Sequence, residues 1–347
     1  MRDNSAMTWS PCRLQCLADG KPHYFIDPMK ELLPRTVIAP SVVFETESLT
    51  ATYDPATRTI WHRMHVQPRP CFSEAFLRDA LELHGLIRRG VWAVDFYVLR
   101  SEMPRVFNLG GDLNMLRGYA MKQDWAGVSR YARLCVDTLY GMVSGFDQQV
   151  ISIAEISGDA LGGGFEAALA CDFMIAEKGV KLGFPEVLFN LFPGMGAFSL
   201  LARKLGPQVA QRMILSGAMY QPEMLQAQGL LDEVAETGCG RNTVQSFIRT
   251  SQKQLRGIKG LMEARRRTAL WPTHQELVQV VEHWADCVKQ VSERDLRLIE
   301  RLVSAQNRVH PTATNSGGLG GVPDKPQITV FPPKETLPQS KPIQVTA

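Results

Sequence analysis

The sequence lacks any apolar run of about eighteen residues, the length a membrane-spanning helix needs, so no membrane insertion is expected. It also lacks a basic N-terminal segment followed by an apolar stretch, and a cytoplasmic protein is expected on that ground. Charge imbalance is small, a formal +3 over 347 residues, which gives no footing for nucleic acid. Cysteine is sparse: seven residues at irregular spacing, an odd number, do not form a disulfide framework. Cys12 and Cys16 stand four apart, yet no second ligand pair follows, so no metal site is expected. His62, His65 and His283 have no partner at triad or metal spacing and are expected on the surface or satisfied inside. No motif calls for a redox cofactor. What is there is the composition of an ordinary globular protein, 45% hydrophobic, long enough for one large domain with tails.

Along the chain, residues 1–40 are irregular, interrupted by Pro11, Pro22, Pro28, Pro34 and Pro40. The β-rich runs 42–53 and 58–66 flank an Asp54-Pro55 turn and predict a hairpin. Helices are predicted over 73–88, 125–143 and 164–171, and strands over 94–99, 150–156 and 173–176. Strands alternating with helices imply βαβ units and a largely parallel sheet, an α/β core over 41–200. From Ala197 onward the pattern is helical through 209–216, 222–228, 242–254 and 275–308, a C-terminal helical region over 201–309. Residues 310–347 are rich in proline and glycine and are expected to be disordered, since they cannot bury enough apolar area to offset ordering.

Two glutamates carry the chemistry. The apolar run Val150 to Ile156 leads to Gly162, Gly163 and Gly164, and Glu166 follows on the first turn of a small-residue helix. Glycines at such a turn let backbone N–H groups approach a ligand and leave the helix N-terminus aimed at it. Glu186 follows Pro185, which restricts how its backbone leaves the loop. A glutamate early in a helix is by default a dipole-favoured surface residue. Two of them beside a glycine cradle suit acid/base work next to an oxyanion. Asp112 and Asp172 are expected to cap or fix loops, and Arg265 to Arg267 to form a solvated helix face that also suits an acidic carrier protein.

These blocks resemble the crotonase (enoyl-CoA hydratase/isomerase) superfamily over about residues 40–309: a triple glycine, a catalytic Glu166, Asp172 before a strand, then Pro185-Glu186 and Pro193, Gly194, Met195, Gly196. Val106 to Leu113 is similar to the family's first oxyanion loop. Phe107 to Leu113 together with Gly183 to Ala197 resemble the branch that makes diffusible signal factors, cis-2-unsaturated fatty acids of bacterial quorum sensing. Three blocks in order and spacing are a specific signal where a lone triple glycine is not.

The resemblance implies a crotonase-like spiral of βαβ units and assembly as a homotrimer or hexamer. It implies Gly111 and Gly163 N–H groups on a thioester oxygen, Glu186 at the C2 proton, and Glu166 at the C3 hydroxyl and later at a hydrolytic water. The implied reaction turns a 3-hydroxyacyl carrier-protein thioester into a cis-2-enoyl thioester and then the free acid, with no cofactor; a sensor kinase is an implied partner. The alternatives are a CoA-dependent enoyl hydratase or isomerase and a non-catalytic binder of a sensor kinase. Phe184 stands where hydratases commonly carry glutamine, and Phe189 and Phe192 add apolar bulk near Glu186. Phe184, Trp284 and Leu302 are therefore candidates for touching the acyl chain. Val280, Val281, Trp284, Val288 and Val291 recur at helical spacing, as a packing stripe would too.

Overall fold

A computed structural model of the chain describes residues 39–67, 69–299, 301 and 329–330. The chain enters through β1 (Ser41–Glu45), β2 (Leu49–Asp54) and β3 (Thr59–Met64). The expected hairpin is β2 with β3, Leu49 opposite Met64, and Asp54 shapes its turn by accepting the Ala56 N–H at 2.9 Å. The run 42–53 is not one strand. The Thr46 hydroxyl accepts the Ser48 and Leu49 N–H groups, each at 3.2 Å, and this local turn splits it.

The next stretch holds α1 (Glu74–Arg88), β4 (Phe96–Ser101), β5 (Val106–Asn108), α2 (Leu113–Lys122) and α3 (Trp125–Val143). Ser73 caps α1 by accepting the Phe76 N–H. Sequence patterning finds α1 and α3 but misses α2, whose only buried residue is Leu116 and which therefore carries little apolar periodicity. Then follow β6 (Ile151–Ile156), β7 (Asp159–Leu161), α4 (Gly163–Leu169), β8 (Phe173–Glu177) and β9 (Leu182–Gly183).

The C-terminal part comprises α5 (Ala197–Leu205), α6 (Pro207–Ser216), β10 (Met219–Tyr220), α7 (Pro222–Ala227), β11 (Glu233–Ala235), α8 (Gly240–Gln252), α9 (Leu255–Arg266) and α10 (His274–Val288). It is helical as expected but lends β10 and β11 to the two sheets. The predicted helix over 275–308 stops at Val288 and resumes at 293–299, where Ser292 and Asp295 exchange capping hydrogen bonds. The extension 1–40 and the tail 310–347 lie outside the described residues, apart from 39–40 and β12 (Thr329–Val330), which pairs with β1.

The strands form two sheets, and their order explains the site. The large one runs β11-β8-β6-β4-β3-β2-β1-β12, parallel from β11 to β3. Along β4, Tyr97 and Leu99 join the main core while Phe96 and Val98 join a second core under α8, the alternation of a sheet covered on both faces. The small sheet runs β10-β9-β7-β5. Each of β4, β6 and β8 is followed at once by a short strand of the small sheet, β5, β7 and β9, which are mutually parallel. Their C-terminal ends, Asn108, Leu161 and Gly183, thus lie side by side. The segments leaving those ends carry Gly111, then Gly163 and Glu166, then Glu186, and the outlet beyond strand ends is where α/β folds hold ligands.

Candidate active site

Three loops meet around a cavity of about 370 Å³ lined mainly by apolar side chains. Gly111, Gly163, Glu166, Glu186 and Trp284 all line it, together with Leu109, Leu116, Tyr131, Phe189, Leu191 and Met195. Leu188 and Met219 also line it and are themselves exposed.

The glycines are required by close approach. Gly110 has φ of +86°, and a Cβ there would sit 2.7 Å from the Gly163 nitrogen. The two loops therefore touch backbone to backbone. Gly163 opens α4, and its N–H has no acceptor within the helix. Gly162 has φ of +54°, and a Cβ on it would collide with the Glu186 carboxylate. The triple glycine thus makes room for the second glutamate.

Glu166 is 1% exposed, and its Oε1 accepts the Ala197 N–H at 2.8 Å. Burial pushes its carboxyl up to about 7, opposed by the N–H groups of Ala197, Met195 and Gly196. Glu186 is half-buried as a residue, but its Oε2 is enclosed with no hydrogen-bond partner among the described residues. Burial first, and the nearby Glu166 charge second, hold it well above the carboxylate range. Burial raises both carboxyls and each negative charge opposes the other, so the arrangement disfavours two carboxylates at once.

Other expected residues fall differently. Phe184 is fully buried, stacks on Phe165 at 5.0 Å and does not line the cavity. Leu302 lies outside the described residues. Phe189 faces the cavity, whereas Phe192 lies in a separate surface groove with Phe198 and Val280. The α10 stripe divides: Val281 and Trp284 reach the cavity, Val288 packs with Leu116 and Val128, and Trp284 closes against Gly194.

Asp112 caps α2, accepting the Asn114 N–H at 3.0 Å, as expected of a structural aspartate. Asp172 is buried, bound to the Ser152 N–H at 2.9 Å and ion-paired by Arg265 and Arg266. The expectation of an open Arg265–Arg267 face is corrected here: two of the three turn inward because a buried carboxylate demands them. Arg267 alone stays exposed, paired with Glu263. His62 is interior, its Nδ1 on the Tyr97 hydroxyl, which His84 also meets at 3.0 Å. Among the described residues no group of three or more His, Cys, Asp or Glu is placed to hold a metal. Sequence reasoning missed Tyr131, which sits among ordinary apolar helix residues and carries no local mark, and it quoted Met195 only within the Pro193 to Gly196 block without expecting it at the cavity.

A family model described as enoyl-CoA hydratase/isomerase matches residues 91–301. Human mitochondrial methylglutaconyl-CoA hydratase is 32% identical over 139 residues, 40% of this chain and 39% of that protein. The 2,3-dehydroadipyl-CoA hydratase of Escherichia coli K12 is 32% identical over 130 residues, 38% of this chain and 48% of that enzyme. The matched region thus spans less than half of either relative. Among solved structures, Pseudomonas aeruginosa DspI is 26% identical with a TM-score of 0.55, covering 70% of this chain and 96% of DspI. Human mitochondrial delta3-delta2-enoyl-CoA isomerase has a TM-score of 0.64 at 18% identity, covering 75% of this chain and 99% of the isomerase, a likeness of fold.

Proposed function

The chain belongs to the enoyl-CoA hydratase/isomerase family, and from that premise we propose that it dehydrates a 3-hydroxyacyl thioester and then hydrolyses the product to a free cis-2-unsaturated fatty acid, a diffusible signal. The observation that carries this is the pair Glu166 and Glu186, both with raised carboxyls, lining one apolar cavity beside Gly111 and Gly163. Two N–H groups on the thioester oxygen stabilise the enolate and so acidify C2. One carboxylate takes the C2 proton while the protonated partner gives its proton to the C3 hydroxyl, which leaves as water. A carboxylate-activated water then attacks C1, the same N–H groups hold the tetrahedral oxyanion, and the carrier thiol leaves.

In the free site the backbone N–H groups favour the ionised form on Glu166, while the enclosed Oε2 of Glu186 favours the proton there. That distribution supports Glu166 as the C2 base and Glu186 as the acid, the reverse of the split the resemblance implies.

Three features favour the signal-factor branch. Both blocks that resemble it wall the cavity, Leu109 to Leu113 on one side and Pro185 to Met195 on the other. Phe184 puts no polar group beside Glu186. The likeness to DspI extends over 70% of the chain. The substrate carrier proposed is acyl carrier protein, and a sensor kinase is the proposed regulatory partner. The test is incubation with 3-hydroxydodecanoyl carrier protein and detection of free cis-2-dodecenoic acid. Hydration of crotonyl-CoA with no such acid would establish the second reading, a CoA-dependent hydratase, which the hydratase relatives favour. No turnover of either would leave the binder.

A further inference from the structure

We infer that Tyr131, on α3, is a positioning residue whose hydroxyl aims the Gly111 N–H at the thioester oxygen; this rests on the thioester reading above. The derivation starts from the peptide plane. In a trans peptide, the carbonyl of one residue and the N–H of the next point in opposite directions. The Gly110 carbonyl accepts the Phe72 N–H at 2.7 Å. The Gly111 N–H is therefore turned away from Phe72. The following peptide is fixed separately, because the Asp112 N–H donates to the Tyr131 hydroxyl at 2.9 Å. That hydroxyl donates in turn to the Phe72 carbonyl at 2.7 Å. Phe72 and Gly111 are parallel bridge partners.

Tyr131 thus ties together both sides of the bridge, and the two peptides flanking Gly111 are each held by one hydrogen bond. Glycine makes this tether matter. Gly111 has no side chain to anchor it, and a Cβ there would lie 3.2 Å from the Tyr131 hydroxyl oxygen. Without the phenol the Gly111–Asp112 peptide loses its hydrogen bond, and only the Phe72 N–H on the Gly110 carbonyl still holds the loop that presents the Gly111 N–H.

The phenol does not act on substrate itself. It is 3% exposed, and burial keeps it neutral by raising its pKa well above the tyrosine range. Its single proton is committed to the Phe72 carbonyl, so none is left for a thioester oxygen. Tyr131 acts through Gly111. Its ring would remain in place in Tyr131→Phe, which deletes only the oxygen that sets the loop.

The experiment compares Tyr131→Phe with Thr138→Val. Thr138 is a second buried hydroxyl on α3, bonded to the Leu134 carbonyl at 2.9 Å and away from the loop. Turnover of the 3-hydroxyacyl carrier-protein thioester is measured alongside the infrared C=O band of a bound 2-enoyl thioester labelled with ¹³C at C1. Tyr131→Phe is expected to lower kcat by about 10- to 100-fold with KM within about threefold, as for an interaction made mainly in the transition state. The carbonyl band should move back toward its solution position. Thr138→Val should keep wild-type kcat and band.

A wild-type band and kcat in Tyr131→Phe overturn the assignment, as does an equal loss in Thr138→Val. If Tyr131→Phe does not fold, 3-fluorotyrosine at position 131 replaces it, and an unshifted band then overturns the assignment. A wild-type protein that leaves the carbonyl unpolarised removes the thioester reading itself and Tyr131 with it.

Discussion

At the residue scale the decisive quantity is the raised affinity for a proton of two carboxyls that line one cavity. Burial pushes the folded carboxyl of Glu166 up to about 7, above an ordinary glutamate. The native state therefore binds more protons than the unfolded chain between about 4.5 and about 7, and stability falls as pH rises through that window. At about 1.4 kcal/mol per pKa unit, the loss attributable to Glu166 is on the order of 3 kcal/mol. Glu166→Gln should flatten that part of the melting-temperature profile, and an unchanged slope would place the titration elsewhere. Activity should run the other way, with kcat/KM rising toward neutrality as Glu166 ionises, a limb that a pH–rate profile reads.

Glu166→Gln should also abolish release of cis-2-enoic acid while the fold persists; near-normal release would remove Glu166 from the mechanism. Exchange of the substrate C2 proton with deuterated solvent separates the roles. Glu186→Gln should retain exchange and Glu166→Gln lose it if Glu166 is the base, and the opposite pattern restores the split implied by the resemblance.

At the element scale, α4, the loop after β9 and α10 converge on one cavity, and each can be perturbed alone. Trp284→Ala on α10 should change chain-length preference or turnover more than stability, because Trp284 is only part-buried and lies against Gly194 at the cavity wall. A collapse of melting temperature with an unaltered substrate profile would make it a packing residue. The α9 connection is structural in a way its sequence hides. Arg266 and Asp172 are ion-paired at 2.7 Å with side chains 7% and 0% exposed. Arg266→Ala leaves a buried carboxylate with too few partners and should cost about 3 kcal/mol in a urea titration. A change below about 0.5 kcal/mol, typical of surface substitutions, would show that Arg265 alone suffices.

At the scale of the whole molecule, the trimer or hexamer that the resemblance implies would need a surface to form on. Leu188, Phe198, Leu215, Met219 and Met224 are large apolar side chains that stand exposed, Leu215 by 64%. Apolar area of this kind is usually covered in an assembly. Mass photometry should show a species of three or six chains, and a stable monomer at micromolar concentration would refute the assembly.

Much of this is legible in the sequence alone. Gly163 and Glu166 could be placed because a glycine turn followed by a helix start is a local event, written in consecutive residues. The hairpin at Asp54, the Ser73-capped helix and α3 were legible for the same reason: each is set by neighbours within a turn or by periodic burial. Long-range partners were not. Phe184 reads as a substrate contact but stacks on Phe165, nineteen positions away, once β9 lies beside β7. Arg265 and Arg266 read as a solvated face but answer a carboxylate more than ninety positions earlier. Tyr131 meets Phe72 across fifty-nine positions, and nothing in either neighbourhood announces it. Residue type, spacing and local propensity determined which groups are candidates for the chemistry and where the main elements begin. Only the tertiary structure decided which buried polar atoms become partners, because desolvation penalises an unpaired group and the chain satisfies most of them with whatever the sheet order brings near, while leaving the Glu186 Oε2 without one.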